Sequence, residues 1–253
     1  MLVSIKGLKI NWKYFGSGNP ILLLHGWGGS IQSLLNLGKL LSERDLKVYL
    51  LDLPGFGKSG KPVKSFNLDD YAEVVEDFLK QLGINELFVF GHSFGGAVAI
   101  KLAVRGNIKV RKLVLCNASG IRKLKTISHP LSVIVKLGKV IKRIPILKEI
   151  YLFFRKVFYY HILGNRDYID YEEIAGTYKK IVAEDLTPLL HKVKVPTLLI
   201  WGEKDKDTPL AYADIFHKGI KSSELKVYKN EGHGLPKSKP ELIYKDIKRF
   251  LRK

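Results

Sequence analysis

The stretch Glu86-Leu87-Phe88-Val89-Phe90-Gly91-His92-Ser93-Phe94-Gly95-Gly96 decides the fold. An apolar run, Glu86 to Phe90, enters Gly91-x-Ser93-x-Gly95 and leaves it as a small-residue segment with helical character, Ala97 to Val104. A short continuous apolar run reads as a strand buried on both faces, the kind found in parallel sheets. Between such a strand and a helix, the five residues predict a nucleophile elbow. The turn is too tight for side chains at the flanking positions, so glycines stand two residues either side, and Ser93 is forced into a strained conformation that exposes its hydroxyl above the sheet.

The same alternation continues outward. Leu2 to Phe15, broken at Lys6-Gly7-Leu8-Lys9, predicts a hairpin, and Pro20 to His25, Leu46 to Leu51, Lys112 to Cys116, Val195 to Trp201 and Glu224 to Tyr228 predict strands. Leu68 to Leu82 has helical spacing (Tyr71, Val74, Val75, Phe78, Leu79, Leu82) and stops at Gly83, while Pro240 to Leu251 predicts a closing amphipathic helix. The fold class is therefore α/β, a mostly parallel eight-stranded sheet flanked by helices. One segment breaks the pattern: from about Gly120 to Pro188 there is no strand signal, only helical spacing rich in Ile, Leu, Phe and Tyr. It predicts a helical lid over 120–188, inserted into a core of 1–119 and 189–253. Arg122 to Arg166 holds 11 basic residues against one acid, Glu149, so this piece carries +10 of the net +19.

A serine hydroxyl needs a neighbouring base. His233, in Glu231-Gly232-His233-Gly234 after the last strand, is expected at the carboxyl edge of the sheet, where open α/β sheets keep their sites. His129, His161, His191 and His217 fall in helical or linking segments, and His129 or His161 is a possible pocket residue only. The base needs an acceptor on its second nitrogen. Trp201-Gly202-Glu203-Lys204-Asp205-Lys206-Asp207-Thr208-Pro209 offers three acids. Asp205, in the loop before the next helix, is the first choice, and Asp207 is the alternative or a helix cap. The place after the preceding strand reads Asn117-Ala118-Ser119 and holds no carboxylate. A carbonyl under attack develops an oxyanion that needs fixed donors. His25-Gly26-Trp27-Gly28-Gly29 offers the backbone N–H of Trp27, and the head of the elbow helix offers that of Phe94. His25, Gly26, Gly91, His92 and Gly95 are expected to support these two loops.

With Ser93, Asp205 and His233 in this order and His25-Gly26 upstream, the chain resembles the α/β-hydrolase superfamily over almost its whole length, in the lid-bearing esterase, lipase and C–C hydrolase branch. The resemblance implies Ser93 as nucleophile, Asp205 and His233 as the rest of a triad, and Trp27 and Phe94 as oxyanion donors. Asp52-Leu53-Pro54-Gly55-Phe56-Gly57-Lys58-Ser59 resembles a frequent family loop, structural more often than catalytic. Serine at the elbow argues against the dehalogenase and epoxide-hydrolase branches, which use aspartate. The meta-cleavage C–C hydrolases usually carry Gly-x-Gly-Pro-Gly in the oxyanion loop, and Gly26-Trp27-Gly28-Gly29-Ser30 lacks that proline.

Composition narrows the remaining classes. A hydrophobic fraction of 46% and a charged fraction of 26% are ordinary for a globular chain of 253 residues, and no apolar run approaches membrane-spanning length. One cysteine, Cys116, and no secretory leader in the opening residues point to the cytoplasm. The excess of 43 Lys+Arg over 24 Asp+Glu rests on 34 Lys and only 9 Arg. Nucleic-acid binders lean on Arg forks and stacking aromatics, so no nucleic-acid partner is expected. Weak contact of the basic lid with an anionic membrane surface is one expectation, plain solvation the other. No metal is expected, since the histidines lack ligand spacing. Gly55-x-Gly57-x-x-Gly60 mimics a dinucleotide fingerprint, but no helix follows it, so no cofactor is expected. The implied activity is hydrolysis of a carboxylic ester with a small to medium hydrophobic acyl group. Thioester, lactone and C–C substrates are variants, and a non-catalytic ligand receptor or membrane-surface protein is the alternative of another class. No obligate protein partner is expected.

Overall fold

The computed structural model describes residues 1–43, 45–122 and 172–252. Eight strands form one sheet: β1 (Leu2–Ile5), β2 (Leu8–Phe15), β3 (Asn19–Leu24), β4 (Leu46–Leu51), β5 (Glu86–His92), β6 (Lys109–Cys116), β7 (Thr197–Gly202) and β8 (Ser223–Tyr228). Their spatial order is β1-β2-β4-β3-β5-β6-β7-β8. From β4 through β8 all neighbours are parallel, whereas β2 runs antiparallel to both β1 and β4. The helices among the described residues are α1 (Ile31–Leu41), α2 (Leu68–Gln81), α3 (Phe94–Arg105), α4 (Ala175–Ala183), α5 (Leu210–Gly219), α6 (Leu235–Ser238) and α7 (Pro240–Arg252).

The sheet separates two apolar layers because alternate side chains of each central strand point to opposite faces. Leu22, Leu24, Val89, Leu113, Leu115, Leu199 and Trp201 pack against α2, α3 and α5 on one face. Ile21, Leu23, Phe88, Phe90, Val114, Cys116, Leu198 and Ile200 pack with α1 and α7 on the other. Helix α2 starts at a reciprocal cap: Asn67 Oδ1 accepts from Asp70 N–H at 2.9 Å and Asp70 Oδ2 from Asn67 N–H at 2.8 Å.

The expected strands are all present, with shifted ends that have local causes. Pairing of β7 begins at Thr197 rather than Val195, because Pro196 has no N–H and offers only its carbonyl, which accepts from Leu113 N–H at 3.0 Å. Strand β6 starts earlier than expected, at Lys109, where a register irregularity opposite Leu87 and Phe88 lets it pair with the start of β5. Helix α3 starts at Phe94 rather than Ala97, since the chain turns from Ser93 straight into the helix. Helix α1 was not anticipated. Its signal is Ser30, whose hydroxyl accepts from Gln32 N–H, followed by Ile31, Leu34, Leu37 and Leu41 on one buried face.

The expected lid lies for the most part outside the described residues. Of its span, 120–122 and 172–188 are described, including α4 and two 3-10 turns, Glu172–Ile174 and Thr187–Lys192. Leu186 N–H donates to Gly120 O at 2.7 Å, so the chain returns to the point where it left the sheet. No helix among the described residues is long and apolar enough to cross a membrane.

Candidate active site

Ser93 lies at the junction of β5 and α3 with φ 51° and ψ −118°, a conformation that a residue with a side chain adopts only under constraint. The surrounding glycines supply that constraint. A Cβ on Gly95 would stand 2.3 Å from the Leu24 carbonyl oxygen, one on Gly91 2.5 Å from that of Gly95, and one on Gly96 2.6 Å from the Ala118 Cβ. The turn is tied down by Ser93 N–H donating to Cys116 O at 3.0 Å, and by Gly96 N–H and Ser119 N–H donating to Ser93 O at 2.9 and 3.0 Å.

The loops after β7 and β8 bring the other two predicted residues to this serine. His233 Nε2 is 2.9 Å from Ser93 Oγ, and His233 Nδ1 is 2.8 Å from Asp205 Oδ2. A carboxylate only accepts, so Nδ1 carries the proton and Nε2 accepts from the serine hydroxyl. Asp205 Oδ1 accepts from Asp207 N–H at 2.8 Å and Thr208 N–H at 2.9 Å, and Thr208 Oγ1 lies 2.8 Å from Oδ2. Burial is the strongest influence on this carboxyl and opposes its ionisation. The bond and charge of His233 together with the Thr208 donors outweigh it and hold the group below the ordinary carboxylate range. Asp207 contributes its backbone N–H to that carboxylate, while the imidazole takes Asp205.

The loop after β3 lies against the elbow. A Cβ on Gly26 would stand 3.2 Å from Ser93 Cβ and 3.1 Å from His92 Nδ1, so a side chain here would press on the elbow. His25 is buried with both ring nitrogens engaged: Nδ1–H donates to Gly26 O at 2.8 Å, and Nε2 accepts from Leu53 N–H at 3.0 Å. Burial pushes its pKa down, keeping the ring neutral. The Trp27 ring meets Phe56, Phe94 and Tyr178 edge-on, with centroids 4.8, 5.5 and 5.2 Å away. Tyr178 belongs to α4, so the described end of the inserted segment reaches the loop that carries Trp27.

The glycine-rich run at 55–60 wraps a carboxylate of the chain itself. A Cβ on Gly57 would lie 2.2 Å from Asp52 Oδ2. Asp52 accepts from Ile31 N–H at 2.6 Å, Asn11 Nδ2 at 2.7 Å and Lys58 N–H at 2.8 Å. The negative charge thereby sits at the N-terminus of α1, where the helix dipole favours it.

Two residues, Asn117 and Thr208, and one contact of His92 were not legible as parts of the site. Asn117, fully buried, has φ 47° at the end of β6. Its Oδ1 accepts from Gly202 N–H at 3.0 Å and its Nδ2 donates to Gly232 O at 2.9 Å, so one amide joins the acid-bearing and base-bearing loops. Thr208 holds Asp205 as described. His92, expected only as elbow support, donates Nε2–H to the His233 carbonyl at 2.9 Å. Burial of the ring and the nearby His233 push its pKa down to about 3. An asparagine just past a strand, where a left-handed turn is needed, is the one available signal for Asn117. His191 is exposed, His217 bonds Ser223 Oγ at 2.9 Å away from the site, and His129 and His161 lie outside the described residues. Asp205, Asp207 and His233 are close enough together to suggest a metal trio, but the Asp205 carboxylate and His233 Nδ1 already bond each other.

Chemically, this arrangement can move a proton from Ser93 Oγ to His233 Nε2 while Asp205 balances the imidazolium. A family model described as the alpha/beta hydrolase fold matches residues 19–152. The chain belongs to the α/β-hydrolase family. A second model of the family, described as TAP-like protein, matches residues 179–253. The hydrolase is 29% identical over 258 residues to the AB hydrolase superfamily protein YisY of Bacillus subtilis (strain 168), covering 93% of this chain and 92% of that one. It is 27% identical over 249 residues to a 2-hydroxy-6-oxononadienedioate/2-hydroxy-6-oxononatrienedioate hydrolase of Escherichia coli (strain K12), covering 90% and 85%. Among solved structures, a membrane phospholipase A described as a bacterial virulence factor superposes with a TM-score of 0.76 at 26% identity, covering 100% of this chain and 85% of that chain. The enol-lactonase from Burkholderia xenovorans shares the fold, with a TM-score of 0.78 at 21% identity over 100% of both chains.

Proposed function

We propose that this hydrolase cleaves carboxylic esters of small to medium hydrophobic acyl groups through an acyl-serine intermediate. The observation that carries the proposal is the continuous relay from Ser93 Oγ through His233 to Asp205, at 2.9 and 2.8 Å. Ser93 Oγ attacks the carbonyl carbon as its proton passes to His233 Nε2. Backbone N–H groups of Trp27 and Phe94 receive the oxyanion. The carbon–oxygen bond to the leaving group breaks, and His233 returns the proton to the leaving oxygen. Water, deprotonated by the same nitrogen, then releases the carboxylic acid and restores the serine. The aromatic cluster of Trp27, Phe56, Phe94 and Tyr178 beside the serine favours an apolar acyl chain.

A second reading is hydrolysis of a C–C bond in a vinylogous diketo acid, supported by the 27% identity to the E. coli hydrolase. A side-by-side assay separates the two. Chromogenic esters with acyl chains of increasing length should give a burst and then steady turnover, whereas 2-hydroxy-6-oxononadienedioate should be left intact. Cleavage of the dioate with no ester turnover would replace the first reading by the second.

A further inference from the structure

A cavity of about 230 Å³ lies beside the catalytic relay, and the roles assigned above leave it without a task. Its walls are the residues next in sequence to those that act. His92 precedes Ser93, Gly234 follows His233, and Gly26 to Gly29 form the oxyanion loop. The first turn of α1 contributes Ser33 and Leu34, and α6 contributes Pro236 and Lys237. The volume is below the 300–1,000 Å³ or so of a pocket for a whole drug-sized ligand, so the cavity suits one part of a substrate.

Position indicates which part. The leaving oxygen must meet His233 Nε2 to recover the proton, and the chain passes from His233 through Gly234 into α6, one wall of the cavity. The oxyanion loop and the turn after His233 thus both border this space, which lies next to the reacting centre. Charge indicates its chemistry. Among the described residues the lining contains no carboxylate, His92 is neutral because burial lowers its pKa, and the α1 amide at Ile31 is already taken by Asp52. The neighbouring acid Glu231 is engaged by Lys239 at 3.4 Å and by Ser238 at 3.2 Å. Lys237 is the cationic group of the lining, exposed at the rim and without an ion-pair partner among the described residues.

We infer that this cavity is a leaving-group subsite that prefers a small alcohol bearing a carboxylate, with Lys237 as its specificity-determining residue. The inference rests on the ester-hydrolase reading. An exposed pair is worth little, so discrimination should be about three- to fivefold in KM at low ionic strength and should shrink in salt. The test uses the full chain and three butyrate esters of short alcohols that differ in charge: 3-hydroxypropanoate, 1-propanol and choline.

The wild type should prefer them in that order by kcat/KM. Lys237→Met should raise KM about three- to fivefold for the 3-hydroxypropanoate ester, leave its kcat alone and leave the propyl ester unchanged. Lys237→Glu should invert the order. Lys80→Met, which removes an exposed lysine of α2, should leave the order intact. Equal rates on all three esters, or a preference that survives Lys237→Met, overturns the subsite while ester hydrolysis stands. A Lys80→Met effect as large as that of Lys237→Met would assign the preference to the net charge of the chain and equally overturn it. No turnover of any ester removes the ester-hydrolase reading itself, and the subsite with it.

Discussion

Ser93 is placed by steric exclusion within a few consecutive residues, while Asp205 is placed by hydrogen-bond donors from two parts of the chain, residues 207–208 and His233. Around the serine, three glycines stand where no side chain fits, with prospective Cβ contacts of 2.3 to 2.6 Å. Around the buried aspartate, geometry comes from Thr208, the Asp207 N–H and, behind them, Asn117 bridging Gly202 and Gly232. Crowding fails abruptly when an atom is added. A hydrogen-bonded arrangement loosens in steps as each donor is removed.

The comparison is broken most severely by removing the groups it positions. Ser93→Ala should lower ester turnover on the order of 10^4-fold or more with the fold intact by circular dichroism. A purified variant with more than a few per cent of wild-type activity would refute the serine mechanism. Asp205→Asn should cost roughly 10^4-fold, since an amide neither fixes the imidazole tautomer nor balances its charge. Asp207→Asn should cost less than about tenfold, because its contribution is a backbone N–H that the change preserves. The reverse ranking would move the acid by two residues.

Smaller changes sharpen the contrast. Gly95→Ala should destabilise the fold by about 3 kcal/mol or more in urea melts, as the new methyl meets carbonyl oxygens that cannot withdraw. Asn117→Ala leaves the Gly202 N–H and Gly232 O without their partner, an expected loss of about 1–3 kcal/mol. It should also lower kcat while sparing KM. Wild-type kcat in Asn117→Ala would mean that the loops keep their geometry without the bridge.

The smallest effect concerns acid. His25 and His92 are held neutral in the fold, with pKa values below 6.5. Below that pH the unfolded chain binds more protons than the folded one, so stability is present above about 6.5 and declines as pH falls. Asp205 adds stability that is present above its ordinary carboxyl range and lost as pH falls through its lowered folded value. Urea midpoints should therefore decrease continuously from pH 7 to pH 4, and a flat profile over that interval would contradict the neutral histidines.

The same contrast explains what the amino-acid order disclosed. The elbow was legible because its cause, glycines flanking a serine between an apolar strand and a small-residue helix, lies within six residues. His233 and Asp205 were legible from their place after strands, since parallel sheets deliver such loops to one edge. The Asn117 bridge and the His92 contact to the His233 carbonyl join loops separated by up to 141 positions, and no local pattern encodes those pairings, whereas Thr208 bonds Asp205 within the same loop. Asn117 had been noted only for lacking a carboxylate. In the dinucleotide-like run at 55–60, Gly57 has a local cause of another kind, room for the nearby Asp52 carboxylate.

The bond from Leu186 N–H to Gly120 O, 2.7 Å long, has a consequence for how such a chain changes over generations. It closes the intervening stretch into a loop whose two ends meet a few residues from Ser93, whose carbonyl accepts from Ser119 N–H. Lengthening a closed loop costs only about 0.6 kcal/mol per doubling. A change of length between the joined ends should therefore cost the sheet little, as long as α4 keeps Tyr178 against the Trp27 ring.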